Sequence, residues 1–87
     1  MIEPDVIETR IRASLADLTH LSVEDLTGTK DHYQAVVVSG AFAGKSRVEQ
    51  HQMVYRALGE LMAGPIHALA LQTFTPDKWA ARGPSLT

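Results

Sequence analysis

The chain has 87 residues, 45% of them hydrophobic and 21% charged, and its eight basic and ten acidic residues leave a net charge of -2. That length holds one small domain and excludes a second. The composition excludes a disordered chain, and the charge is too small for the broad basic surface of a dedicated nucleic-acid binder.

Cysteine is absent, which excludes disulfides, thiol catalysis and a self-sufficient thiolate metal site, leaving His, Asp and Glu as available ligands. The acidic start MIEPDVIETRIRASL has no apolar run of signal-peptide or membrane-span length, so a cytoplasmic protein without a membrane role is expected. An organelle is compatible with a removed transit peptide. Residues 1–82 are expected to form the domain and 83–87 a frayed tail.

In chain order, Ile7, Ile11, Leu15 and Leu18 recur at helical spacing, with Pro4 and Asp5 suited to a first turn, so the first helix is expected to end near Leu18. Leu21–Leu26 alternates, and His32–Ser39 (HYQAVVVS) is rich in β-branched residues; both read as strands around the polar link Thr27–Asp31. Four successive apolar residues, Ala35–Val38, imply cover on both faces of the second strand.

Ser46 and Glu49 form a capping box, which starts a second helix at about Arg47. Its buried stripe is expected to be Val48, His51, Tyr55, Leu58 and Met62, with Gly64-Pro65 as the stop. Ile66–Leu71 (IHALAL) reads as a third strand, and Thr75-Pro76 turns into a short helix carrying Trp79, expected to fold back as a lid. The order α-β-β-α-β-α predicts an α/β (α+β) two-layer sandwich on a three-stranded mixed sheet, the last two strands being parallel if they are neighbours.

Few residues carry chemistry. The VVVSG strand followed by AFAGKS approaches a phosphate-binding loop, but three residues separate Gly40 from Gly44 where that loop needs four. Lys45 and Arg47, with Arg56 farther along, are candidate nucleic-acid contacts; their alternative is a solvated helix start. His51 reads as a partly buried imidazole making a hydrogen bond rather than a ligand, because the i+4 position that a second helical ligand would need is Tyr55. His67, after the Gly-Pro break, is well placed to be a ligand, and His32 is a candidate second imidazole. No nucleophile-base triad or paired-carboxylate motif is present, so no enzyme is expected.

Taken together, VVVS, Phe42, Gly44-Lys45, RVEQHQMVYRAL, IHALAL and the closing Thr75-Pro76-Asp77-Lys78-Trp79 resemble the BolA-like proteins over roughly Val6 to Trp79. The resemblance implies a fold like a class II KH domain. It also implies a heterodimer with a monothiol glutaredoxin that shares a 2Fe-2S cluster, in iron-sulfur trafficking or iron and redox regulation. By the same resemblance His67 is the cluster ligand.

A second ligand, Cys or His, comes in the family from the loop between the first two strands. Cysteine-bearing members place it at about Thr29 of this chain, so His32 is its one substitute from that loop. A cluster held wholly by glutaredoxin and glutathione is the alternative, and the isolated protein is expected to hold none. The resemblance further implies a DNA-binding transcriptional regulator as the second reading, with Gly44–Arg47 as the contact, and a weak homodimer is compatible with it.

Overall fold

The computed structural model describes residues 3–26, 28, 32–63 and 68–81. Three helices and three strands follow in the order α1 (Pro4–Ser14), β1 (Leu18–Asp25), β2 (His32–Ser39), α2 (Arg47–Leu58), β3 (Ala68–Phe74) and α3 (Pro76–Ala81). Short 3-10 turns lie at Gly40–Phe42 and Gly59–Ala63. The element order and the bounds of β2 are those that the sequence predicts.

The sheet order is β1-β2-β3. β1 runs antiparallel to β2, and β3 runs parallel to it, with His32 opposite Ala68 and Val38 opposite Phe74. A parallel neighbour requires a crossover, which α2 provides. Alternation then divides β2 between two environments. Tyr33, Ala35 and Val37 point into the main core with Ile7, Ile11, Leu15, Phe42, Val54, Leu58 and Leu61, under α1 and α2.

Val38 points the other way, yet it too is fully buried. Its cover is α3, which packs against β2 and β3. Trp79 stacks on His20 at 4.6 Å between ring centroids and lies 5.3 Å from Phe74, the two residues paired with Val38 across the sheet. The expected lid is therefore a small cover on the outer face of the sandwich.

Four local readings are corrected. α1 stops at Ser14 rather than near Leu18. The chain turns through Asp17, whose φ is 54°, and Leu18 enters β1. That turn is fastened to the end of β2: Gly40 N donates to Asp17 O at 3.0 Å, and Ser39 Oγ donates to Ala16 O at 2.6 Å while accepting from Ala41 N at 3.0 Å. Ser39 is fully buried, so satisfying both its roles removes a desolvation cost.

Second, the α-helix of α2 ends at Leu58, where Gly59 takes φ 55°, and a 3-10 turn carries on to Ala63; Gly64 and Pro65 lie outside the described residues. Third, β3 continues past Leu71 to Phe74, because Gln72, Thr73 and Phe74 pair with Val36, Val37 and Val38. Its expected start, Ile66 and His67, lies outside the described residues.

Fourth, the buried face of α2 is not the predicted stripe. Val54 and Leu58 are buried, followed by Leu61, whereas Val48 is 66% exposed and Tyr55 38% exposed. At 100° per residue the observed face is rotated by roughly 80° from the expected one. Gln50 explains the rotation. Its Nε2 donates to Phe42 O at 3.3 Å and Lys45 O at 3.0 Å, and its Oε1 accepts from Thr73 Oγ1 at 2.7 Å. A polar residue thus faces inward and ties the preceding loop, α2 and β3 together.

The rotation is testable. Leu58→Ala is expected to lower unfolding free energy by about 2–5 kcal/mol, and Val48→Ala to change it by less than about 0.5 kcal/mol, both measured by urea denaturation. Equal losses would restore the predicted stripe.

Candidate functional site

The candidate residues fall at the two ends of the sheet. At one end stands His32, the first residue of β2, half-buried and already engaged in contacts of its own. Its carbonyl accepts from Leu26 N at 2.8 Å, closing the hairpin, and Gly28 N donates to Asp25 Oδ1 at 3.0 Å in the link, where Gly28 takes φ 79°. Parallel pairing sets His32 opposite Ala68. The residue before Ala68 in the chain is His67, which lies outside the described residues together with Thr29. Among the described residues no three His, Cys, Asp or Glu side chains gather into a group able to hold a metal ion.

At the other end lie the basic residues. Ser46 caps α2 by accepting from Glu49 N at 3.2 Å, and Glu49 Oε1 accepts from Ser46 N at 2.8 Å. These hydrogen bonds, led by the one from the Ser46 backbone and aided by the charge of Lys45, hold the Glu49 carboxyl below its ordinary value of 4.5. Lys45 and Arg47 line a notch of about 340 Å³ with Ser46, Gln50, Thr75 and Lys78. Lys78 is the residue that sequence reasoning missed. It lies 31 positions beyond Arg47, and only the return of the chain through β3 and α3 brings it there.

Arg56 does not join this notch. Nine residues on from Arg47, it projects about 180° away around the helix, in a depression with Glu49, Gln52 and Met53 that meets the notch only at Lys45. Among the described residues Arg10 and Arg12 make ion pairs, with Glu60 at 3.3 Å and Glu8 at 3.8 Å, whereas Lys45, Arg47, Arg56 and Lys78 make none.

The groove continues from the notch along β3, about 380 Å³ lined by Arg47, His51, Leu71, Gln72, Thr73 and Phe74. His51 is half-buried, as expected, and edge-on to Tyr55, with ring centroids 6.3 Å apart; among the described residues its ring makes this aromatic contact in place of the expected hydrogen bond. Partial burial, and then the neighbouring Arg47 charge, lower its pKa and favour the neutral ring. No described helix is long and apolar enough to cross a membrane.

The capping box gives a pH test. A depressed folded-state pKa means that Glu49 contributes stability above the unfolded value of 4.5 and loses it as pH falls through the folded value. Glu49→Gln is therefore expected to be less stable than the wild type at neutral pH and equally stable at pH values well below 4.5. Urea denaturation across that range checks it; a difference independent of pH would contradict the assignment.

Comparison with known proteins converges on one family. The family described as BolA-like protein matches residues 9–78. A mouse relative named BolA-like protein 1 is 37% identical, over 84% of this chain and 61% of its own length. A Haemophilus influenzae relative named DNA-binding transcriptional regulator BolA is 42% identical, over 63% of this chain and 53% of its own. The chain thus spans less than two-thirds of the length of either. A solved structure of a BolA homologue from Coxiella burnetii superposes with a TM-score of 0.78 at 35% identity, covering 92% of this chain and 99% of that one.

Proposed function

The chain belongs to the BolA-like protein family, and from that premise we propose that it is a non-enzymatic partner of a monothiol glutaredoxin, sharing a bridging 2Fe-2S cluster with it and glutathione. The observation that carries this reading is the pairing of His32 with Ala68, the residue directly after His67 in the chain. His32 is thereby set beside the start of β3, the strand that His67 precedes in the sequence.

A bridging cluster asks for only one or two donors from this side, which a chain without cysteine can supply as imidazoles. His67 would be the first donor and His32 the second. When bound, the cluster supplies one-electron chemistry at a potential raised by histidine in place of thiolate. Under this reading the ladder of β2 holds the His32 donor in place, so that little of its freedom is lost on binding.

The test is anaerobic titration of cluster-loaded monothiol glutaredoxin with this protein, followed by visible circular dichroism. The wild type is expected to change the spectrum to that of a mixed complex. His67→Ala is expected to abolish the change and His32→Ala to alter its form. A spectrum unmoved by the wild type, or a response from His67→Ala identical to the wild type's, would overturn the ligand assignment.

The unpaired cations favour a second reading, nucleic-acid binding, which agrees with the name of the Haemophilus relative. Under it, binding weakens with salt, and Lys45→Ala and Arg47→Ala each weaken it further. Affinity indifferent to salt and to both substitutions would dismiss it.

A further inference from the structure

The notch and the groove share Arg47, Thr73 and Phe74, so they are one continuous channel between α2 and the edge of β3 away from β2. Among the described residues β3 has a strand neighbour only in β2. The two halves of the channel differ in chemistry. Lys45, Arg47 and Lys78 bring three positive charges into one notch, which leaves the rest of a chain of net charge -2 at -5 (-2 minus 3). The neighbouring half carries the flat ring of His51 and the apolar side chain of Leu71, with Phe74 at its end. No acid lines either half.

We propose that this channel binds single-stranded nucleic acid, with a phosphodiester held by Lys45, Arg47 and Lys78 and the attached base lying against His51 and Leu71. The inference rests on the nucleic-acid reading and names its form. A duplex offers phosphates but keeps its bases stacked inside, so only a single strand uses both halves of the channel. Stacking on a side-chain ring together with a cationic backbone track is the general mode of single-strand recognition. An acidic peptide would satisfy the cations and leave the ring and apolar wall without a counterpart. Arg56 has no part in this contact, in contrast to a mode in which the whole helix lies along a duplex. Gln50 is a positioning residue: its bonds to Phe42 O, Lys45 O and Thr73 Oγ1 hold the two walls at fixed separation.

The test is fluorescence anisotropy with labelled oligothymidylate, with the same strand in a duplex, and with unlabelled poly-glutamate and inorganic phosphate as competitors. Single-strand binding is expected to exceed duplex binding. Lys78→Ala and Arg47→Ala should each reduce the slope of log affinity against log salt by about 0.7. His51→Ala should weaken binding several-fold without changing that slope, and Arg56→Ala should change neither. Circular dichroism of each variant checks that the fold is kept, as expected for side chains that are exposed or half-buried.

Equal or tighter duplex binding that depends on Arg56 would overturn the inference and keep the nucleic-acid reading. Absence of binding to either form would overturn both. Indifference to Lys78→Ala, or competition by poly-glutamate or phosphate as effective as by unlabelled oligothymidylate, would overturn the channel assignment.

Discussion

Everything in this small domain depends on β2 being paired along both edges and covered on both faces toward its C-terminal end. Ladders to β1 and β3 satisfy its backbone. Ala35 and Val37 face the helices, and Val38 is buried beneath α3. A strand so enclosed cannot slip by one residue without exchanging its two faces. The register of His32 against Ala68 and of Val38 against Phe74 is fixed by the same burial that stabilises the fold.

That register separates two kinds of chemistry. Six residue steps of β3 separate the pairings at Ala68 and Phe74, a length of roughly 20 Å. The histidine end and the cationic end are far enough apart for a protein partner at one to leave the other open.

Much of this was legible in the sequence where one residue type has one physical use. Four apolar residues in HYQAVVVS require a doubly covered strand, and Ser46 with Glu49 fixes the first turn of α2. The face of α2 was not legible. Leu58 belongs equally to the stripe with Val48, His51 and Tyr55 and to the stripe with Gln50, Val54 and Leu61. The choice is made by hydrogen bonds from Gln50 to groups 5, 8 and 23 residues away. A polar side chain at a core-facing position reads as solvent-facing until its partners are known. For the same reason Lys78 could not be joined to Lys45 and Arg47, since nothing in local spacing signals that α3 returns beside the start of α2. The resemblance named His67 and the loop sequence offered His32; what the register adds is that His32 stands opposite Ala68.

The central claim is that an imidazole of this chain ligates iron in a shared cluster. Its most direct measurement is pulsed electron paramagnetic resonance of the reduced complex, prepared from this protein labelled with 15N-histidine and an unlabelled monothiol glutaredoxin. The account predicts a strongly coupled 15N signal that disappears in His67→Ala. A reduced cluster in the complex with no strongly coupled 15N nucleus would contradict it.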